Sequence, residues 1–315
     1  MNDPYVKASF DNGIKVGFIG LGNMGAPMAR CLTDAGIPII VQDISAKTTD
    51  AFAADNIEVA ATPADVAAKA DIILMSLPTP AIVDEVCVGP NGIMSGGAAR
   101  IIVDLSTTGP RATEQLAERF ASKGIAFIDA PVSGGVSAAE KGALAIMAAG
   151  DSSAYATVEP LLNIMGSKIF YVGEKAGLGQ SMKLVNNMLA AANAMAAFET
   201  LAFGAKMGLD GQMMLDVLNV SSGQSFMTSS RIPQTVIPRN FPTRFATKLM
   251  YKDVRLCIEE AEASGALLWV GQTVKQVLAF AVAQGDGEKD FATIIQRFEQ
   301  WAGGATVGTM LDEEG

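Results

Sequence analysis

The most constraining feature of the chain is the stretch from Lys15 to Met28, in which Gly20, Gly22 and Gly25 fit the pattern G-x-G-x-x-G. An apolar run precedes the glycines and a helix-compatible run follows them, which predicts a strand, a tight turn and a helix. In a dinucleotide site the first glycine allows the turn, the second lets the backbone approach a pyrophosphate, and the third lets helix and strand pack closely. The helix N-terminus then offers N–H groups to the phosphates. The stretch therefore predicts a dinucleotide-binding unit.

A second apolar run, Pro38 to Gln42, ends in Asp43, which lies 18 residues after Gly25. At about this distance a Rossmann unit places a carboxylate on the ribose hydroxyls of adenosine. A carboxylate there would repel a 2′-phosphate, and no arginine follows in Ile44 to Ala46. We therefore expect NAD in preference to NADP. The alternative is that Asp43 caps the next helix, a role that Ser45 could also fill.

Strand-type and helix-type runs alternate as far as Val172. The expected strands are Ile57–Ala60, Asp71–Leu77, Arg100–Asp104, Ile125–Asp129, Gly142–Gly150 and Lys168–Val172, with helices at Pro63–Lys69, Ala81–Val86, Pro110–Lys123 and Ser152–Met165. Such alternation implies parallel βαβ units in a doubly wound sheet. Ligands of these sheets lie beyond the carboxyl ends of the strands, which makes Leu77-Pro78 and Ser106-Thr107 candidate positions.

Beyond a glycine-rich linker at Gly173 to Gly179 the pattern becomes helical. The expected helices are Gln180–Met207, Gly211–Leu218, Tyr251–Ser264, Trp269–Gln284 and Asp290–Trp301, with an irregular segment from Ser221 to Thr247. The predicted fold is thus an α/β Rossmann domain with a doubly wound, mostly parallel sheet, followed by an all-α C-terminal domain joined through a long helix. The expected limits are an extension at 1–13, the Rossmann domain at 14–177, the helical domain at 178–304 and an acidic tail at 305–315.

Composition excludes several classes of function. The 315 residues carry a formal net charge of −10, which disfavours a nucleic-acid partner, although local Lys and Arg can still bind a small anionic substrate. The chain contains no histidine, so a Ser-His-Asp triad and a histidine metal site are excluded, and no metal is expected. The acid or base of any reaction must therefore be Lys, Asp, Glu, Tyr or Cys.

Cysteine usage and hydropathy bear on location. Cys31, Cys87 and Cys257 are scattered and odd in number, which is typical of free thiols in a reducing cytosol. No uninterrupted apolar run reaches the roughly 18 residues of a membrane span. Residues 1–13 lack the apolar segment of a secretory signal. We expect a cytoplasmic protein without a membrane partner.

Two groups of residues are candidates for substrate chemistry. Ser133-Gly134-Gly135 follows a predicted strand, where consecutive backbone N–H groups beside a hydroxyl can cradle a carboxylate without a cation. The alternative is a loop that only requires flexible glycines. Gln180, Lys183 and Asn187 form the second group.

Gln180, Lys183 and Asn187 are spaced i, i+3 and i+7 and share one face of the long helix among mostly apolar neighbours. A buried lysine has a lowered pKa and can exchange a proton near neutrality. Asn187, one turn beyond Lys183, can hydrogen-bond the amine or a substrate hydroxyl. The alternative is a lysine that extends to solvent from the helix start.

Four separated motifs occur in order along the chain. They are Gly20 to Gly25, Asp129 to Gly135, Gly179-Gln180 with Lys183, Asn186 and Asn187, and Lys252-Asp253. With these motifs the chain, from about Lys15 to Trp301, resembles the β-hydroxyacid dehydrogenase family. The resemblance implies a Rossmann domain joined by a long helix to a helical, 6-phosphogluconate dehydrogenase-like C-terminal domain. It also implies a homodimer or homotetramer in which the helical domain is shared.

The resemblance implies a role for each matching position. Lys183 is the implied general acid and base in hydride transfer between NAD(P) and the CH–OH group of a small, 3-hydroxyisobutyrate-like acid. The implied substrate ligands are Ser133, Gly134, Gly135, Asn187 and Lys252. The implied cofactor ligands are Gly20, Leu21, Gly22, Asn23, Met24, Gly25, Asp43, Leu77, Pro78, Thr107 and again Lys252.

Two other functions stay open at this point: a reductase of a small aldehyde acid of the tartronate, succinic semialdehyde or glyoxylate type, and a non-catalytic NAD-binding sensor. The substrate side chain is also open, because this chain has Ser222 to Phe226 in a segment where many relatives place an Arg or Trp near Ser225. Arg231, Arg239 and Arg244 are candidates for a second substrate carboxylate. We expect them to face solvent instead, since arginine is mostly exposed unless it is paired.

Overall fold

The computed structural model describes residues 13–53, 55 and 57–308. Most of the predicted N-terminal extension and residues 309–315 of the predicted tail lie outside the described residues. The described chain forms two compact units that divide between Lys183 and Leu184. This division falls inside the long helix, six residues after the domain limit at 177 that the linker suggested.

The first unit alternates strands and helices. Its strands are β1 Val16–Ile19, β2 Ile39–Gln42, β3 Glu58–Val59, β4 Ile72–Met75, β5 Ile101–Asp104, β6 Ala126–Asp129, β7 Val132–Ser133, β8 Leu144–Ala149 and β9 Gly166–Gly173. Its helices are α1 Gly25–Asp34, α2 Ala46–Ala53, α3 Pro63–Ala67, α4 Pro80–Val88, α5 Pro110–Ala121, α6 Gly135–Glu140 and α7 Ser152–Met165, with a 3₁₀ turn at Ile93–Ser95.

The described strands form one sheet in which β3, β2, β1, β4, β5 and β6 lie side by side, all parallel. This order, 3-2-1-4-5-6, is that of a Rossmann fold. Strand β8 then pairs antiparallel with β6 and β7 and parallel with β9. The predicted doubly wound, mostly parallel sheet is confirmed.

Helices cover both faces of the sheet, because successive strand residues point to opposite sides. Phe18 and Leu74 pack with α1 and α7 in one hydrophobic cluster. Ile19 and Ile73 pack with α3, α4 and α5 in the other. Strands buried on both faces are expected to be continuously apolar. The apolar runs at β1, β2 and β4 therefore predict these strands from the sequence.

The second unit is helical. The helix α8, Leu178–Lys206, begins in the first unit and continues into the second. The elements that follow it are α9 Gly211–Leu218, a π turn at Met227–Arg231, α10 Ile232–Thr235, α11 Thr247–Ser264, α12 Trp269–Ala281, a π turn at Val282–Asp286, a 3₁₀ turn at Phe291–Ile294 and α13 Ile295–Trp301. Phe198, Val254 and Leu278 belong to its core. The prediction of an irregular segment from Ser221 to Thr247 is wrong for the helical turns at 227–235.

Alone among the described helices, α8 is long and apolar enough by composition to cross a membrane, and 39% of its most apolar window is buried. The core helix of a globular domain can have the same length and composition. In the second unit Ala191, Ala194, Phe198 and Leu201 of α8 pack into the hydrophobic core.

Candidate active site

The glycine turn after β1 shows a separate constraint at each glycine. Gly20 has a φ of +88°, and a Cβ there would overlap the carbonyl oxygen of Ser76. A Cβ on Gly25 would overlap the carbonyl oxygen of Gly20. A Cβ on Gly22, by contrast, meets no protein atom within 4 Å. Packing of the chain therefore requires Gly20 and Gly25, whereas Gly22 fits the glycine that lets a pyrophosphate approach the backbone.

The remaining residues of this turn differ in exposure. Leu21 is buried, Met24 is half-buried and Asn23 is exposed. Met24 precedes α1 and provides no side-chain cap to its N–H groups. Pro27 has no N–H and Ala26 N donates to Gly22 O, so phosphate contacts at this helix start fall to the N–H groups of the preceding turn.

Asp43 follows β2 and is half-buried. Its Oδ2 accepts a hydrogen bond from Leu21 N at 2.6 Å, and its Oδ1 accepts one from Ser45 N at 2.8 Å. The carboxylate therefore joins the glycine turn to the turn that precedes α2. These two backbone donors fix its orientation and leave further lone pairs for a ligand.

Leu77, Pro78 and Thr107 lie directly after β4 and β5, which are neighbours in the sheet. Leu77 N donates to Ser106 Oγ at 2.9 Å, which links the two strand ends. The glycine turn and Asp43 follow β1 and β2 in the same parallel set. The predicted cofactor positions in the first unit therefore share the carboxyl edge of the sheet, where ligands of doubly wound folds bind.

Ser133-Gly134-Gly135 follows the carboxyl end of β6 through the short strand β7. Gly134 and Gly135 both have positive φ, +135° and +71°, a conformation that disfavours other residues. Ser133 and Gly135 are half-buried and Gly134 is exposed. The glycines are therefore required by the backbone, and the carboxylate cradle stays a prediction.

Lys183 lies in the second turn of α8 and is 8% exposed. The first turn is fixed by Asp129, whose carboxylate accepts hydrogen bonds from Gly177 N and Gln180 N. The side chain of Gln180 is fully buried and bonds to Ser106 and Thr108. The predicted polar face of the helix is thus buried. The side chain of Gln180, however, makes its hydrogen bonds to other residues of the protein.

Asn187 and Lys252 lie in the second unit, on α8 and α11. Asn187 Nδ2 donates to Asp253 Oδ2 at 2.6 Å, and Asn187 Oδ1 accepts from Asn186 Nδ2 at 3.0 Å. Lys252 Nζ lies 3.1 Å from Asp253 Oδ1. Asp253 is 3% exposed and therefore orients both Asn187 and Lys252. The pair Lys252-Asp253 was the sequence signal for this group.

Arg231 and Arg239 do not face solvent, contrary to expectation. Arg231 donates to both carboxylate oxygens of Asp290 at 2.5 and 2.6 Å and is 6% exposed. Arg239 pairs with Glu299. The partners of both lie about 60 residues along the chain, so no local pattern revealed them. Arg244 bonds to Gln234 at the surface. Across residues 13–53, 55 and 57–308, no group of three or more Cys, Asp or Glu side chains could hold a metal ion.

Comparisons with known proteins match this architecture. The model of the NAD-binding domain of 6-phosphogluconate dehydrogenase matches residues 15–173, and that of the NAD-binding region of NADP-dependent 3-hydroxyisobutyrate dehydrogenase matches residues 177–298. The chain is 34% identical over 299 residues to 2-(hydroxymethyl)glutarate dehydrogenase of Eubacterium barkeri, which covers 95% of this chain and 99% of that protein. The chain belongs to the β-hydroxyacid dehydrogenase family.

Similarity to further members of the family supports this assignment. The mitochondrial 3-hydroxyisobutyrate dehydrogenase of Homo sapiens is 36% identical over 288 residues, covering 89% of this chain and 85% of that protein. The structure of Mycobacterium tuberculosis 3-hydroxyisobutyrate dehydrogenase with L-serine has a TM-score of 0.83 at 29% identity, covering 90% of this chain and 98% of that one. This β-hydroxyacid dehydrogenase is an NAD(P)-dependent oxidoreductase that acts on hydroxy acids. The predicted family, fold class and enzyme class are confirmed.

Proposed function

We propose that this family member oxidises a small 3-hydroxy monocarboxylic acid with NAD⁺, with Lys183 as general acid and base. The observation that carries the proposal is a nearly buried lysine on a helix whose first turn is bonded to the carboxyl ends of β5 and β6, in the same sheet as the strand that carries the cofactor motif. Lysine is also one of the few acid or base side chains available to a chain without histidine.

In this mechanism each side chain has one task. A nicotinamide cofactor held at the glycine turn would supply the acceptor for the hydride from the alcohol carbon. Lys183 Nζ accepts the hydroxyl proton during oxidation and returns it to the carbonyl oxygen during reduction, a contribution typically worth ~10²–10⁴-fold. The Ser133 hydroxyl and the N–H groups of Gly134 and Gly135 hold the substrate carboxylate. The family motif assigns Asn187 and Lys252 to the substrate as well, and both side chains contact Asp253.

Asp43 supports the choice of NAD over NADP. Its carboxylate accepts hydrogen bonds from two backbone N–H groups. It is suited to accept further hydrogen bonds from the ribose hydroxyls. A 2′-phosphate at that point would meet a negative charge, and Ile44, the next residue, supplies no cation. The match to a model described as NADP-dependent leaves NADP as the alternative.

A single substrate carboxylate is favoured by the arginines of the second unit. Arg231 and Arg239 are each paired with a buried carboxylate, so their charges are already balanced and attract a second substrate carboxylate less strongly. The M. tuberculosis relative was solved with L-serine, which is itself a small 3-hydroxy acid with one carboxylate.

The test is reduction of NAD⁺ and NADP⁺ with a panel of acids, followed at the absorbance of the reduced nicotinamide. The panel holds 3-hydroxyisobutyrate, glycerate, 3-hydroxypropionate, L-serine, 4-hydroxybutyrate, threonate and 2-(hydroxymethyl)glutarate. We expect the highest kcat/KM with a 3-hydroxy monocarboxylic acid and NAD⁺. A preference for 2-(hydroxymethyl)glutarate would contradict the single-carboxylate site. Faster turnover of an aldehyde acid in the reverse direction at neutral pH would instead favour the reductase.

Oligomeric state and location belong to the same proposal. Large apolar side chains are exposed on α8 and α9, among them Leu189 and Phe203, each 61% exposed, and Met213, 59% exposed. Large exposed apolar side chains are frequent at protein interfaces, and we assign these to the interface of a homodimer or homotetramer. A cytoplasmic location and the absence of membrane and nucleic-acid partners stay predictions, the last supported by the net charge of −10.

A further inference from the structure

The first turn of α8 is fixed by a carboxylate from a strand far away in sequence. Asp129, the last residue of β6, is fully buried. Its Oδ1 accepts from Gly177 N at 2.8 Å and its Oδ2 accepts from Gln180 N at 2.9 Å. The first N–H groups of a helix have no partner within the helix, so Asp129 acts as their cap. A Cβ on Gly179 would overlap Met147 O, which explains the glycine at this close approach.

The side chain of Gln180 fixes the same turn to the loop after β5. Its Oε1 accepts from Thr108 N at 3.0 Å and from Gly109 N at 3.3 Å, and its Nε2 donates to Ser106 O at 2.9 Å. Gln180 is fully buried, so these bonds are shielded from water. Ser106 Oγ in turn accepts from Leu77 N. One side chain therefore connects the helix with the ends of β5 and β4.

Lys183 lies three residues after Gln180 on the same helical face. Contacts that fix Gln180 therefore also fix the Cα of Lys183 relative to the loop that carries Thr107. We propose that Asp129 and Gln180 are positioning residues that hold Lys183 in register with the cofactor-binding loop after β5. This role rests on the proposed function of Lys183.

The charge at Asp129 is costly to the fold. Burial, and to a smaller extent the neighbouring carboxylate of Asp104, raises the pKa of Asp129 to about 6, against the opposing effect of the two N–H donors. Near neutral pH the folded unit therefore holds an ionised carboxylate in an unfavourable environment. The ionised form is the one in which both oxygens accept from the helix start, which is what positioning of Lys183 requires.

Gln180→Met tests the proposal, because methionine keeps the length of the side chain and removes its three hydrogen bonds. The measurement is the acetylation rate of Lys183 by acetic anhydride in the full chain with NADH bound, read by peptide mass spectrometry. Lys206, which is exposed on the same helix, is the internal reference. We expect Lys183 to react at least about tenfold faster in the variant, since the loss of each of the three buried hydrogen bonds shifts an opening equilibrium by up to about that factor.

Ser181→Ala is the matched control, because the Ser181 hydroxyl bonds only to Gly177 O within its own helix turn. We expect wild-type labelling of Lys183 in this variant. Wild-type labelling in a folded Gln180→Met protein would overturn the proposal. If Gln180→Met does not fold, Gln180→Asn replaces it, since the shorter amide cannot reach both Ser106 and Thr108.

A double-mutant cycle separates positioning from a purely structural role. Gln180→Met should lower kcat more than it raises the substrate KM, and it should lower kcat no further when Lys183 is already methionine. Independent, additive losses would show that Gln180 does not act through Lys183. If Lys183→Met alone keeps full turnover, the proposed function fails, while the labelling experiment still decides whether Gln180 positions the Lys183 amine.

Discussion

Asp129 is the residue whose ionisation most clearly opposes folding. Burial raises its folded-state pKa to about 6 from an ordinary 3.8. A raised pKa means that the folded chain binds this proton more tightly than the unfolded chain does. Its contribution to stability is therefore fully present below about pH 3.8 and is lost as the pH rises through 6. The full change in the free energy of unfolding is on the order of 3 kcal/mol.

We predict that the free energy of unfolding of the wild type, relative to Asp129→Asn, falls as the pH rises from 4 to 7. Chemical denaturation at several pH values measures this difference. Asp151→Asn is the control, because the Ser153 side chain lowers the pKa of Asp151 below its ordinary 3.8, so its contribution is lost only below that pH and the difference should stay constant from pH 4 to 7. A difference that is constant, or that grows with pH, would contradict the assignment for Asp129.

Asp43 governs cofactor choice in this account. Asp43→Asn keeps the shape of the side chain and removes the charge that opposes a 2′-phosphate. We predict that the ratio of kcat/KM for NAD⁺ to that for NADP⁺ falls at least ~10-fold, the factor that corresponds to about 1.4 kcal/mol. Steady-state kinetics with both cofactors measures the ratio. An unchanged ratio would remove Asp43 from cofactor selection.

Candidate site positions could be found in the sequence where short motifs mark them, as at the glycines, Asp43 and Lys183, whose roles stay predictions. The burial of Arg231 could not be found in this way, because its partner Asp290 is 59 residues away. The cap that Asp129 provides joins residues 48 and 51 positions apart, which only the sheet topology brings together.

At the scale of elements, the glycine turn after β1 offers a matched pair of variants. In Gly25→Ala the new methyl group would overlap Gly20 O, so we predict a fold destabilised by more than ~1 kcal/mol. In Gly22→Ala the methyl group meets no protein atom, so stability should change by less than about 0.5 kcal/mol.

The same Gly22→Ala variant should bind NADH more weakly, because the methyl group occupies the approach of the pyrophosphate. Thermal unfolding and NADH titration measure the two effects. Wild-type NADH affinity in Gly22→Ala would contradict the placement of the pyrophosphate at this turn.

Most helices and strands could be predicted from their hydrophobic periodicity and from the Gly, Pro and capping residues at their ends. Ser152–Met165 and Gly211–Leu218 match their expected limits, because Asp151 and Asp210 precede them as N-caps. The helical turns at 227–235 were missed. They carry Pro233 and polar residues typical of loops, and the buried ion pair of Arg231 helps to hold them. Tertiary contacts there override local preference.

At the scale of the whole molecule, the exposed apolar side chains of the second unit predict self-association. Phe203→Lys should weaken the oligomer, because it places a charge among the exposed apolar side chains that we assign to the interface. Ile82→Lys, an exposed apolar position on α4 of the first unit, is the control and should leave the oligomer intact. Light scattering across a concentration series measures the mass. A wild type that stays monomeric at micromolar concentration would contradict the prediction.

The most direct test of the account compares the wild type with Lys183→Met in NAD⁺ reduction by 3-hydroxyisobutyrate or the best acid of the panel. Lys206→Met, on the exposed end of the same helix, controls for loss of a lysine. We predict that kcat of Lys183→Met falls ~10²–10⁴-fold with NADH affinity little changed, because only the proton transfer is lost. Near-wild-type turnover by Lys183→Met, with NADH still bound, would contradict the central claim.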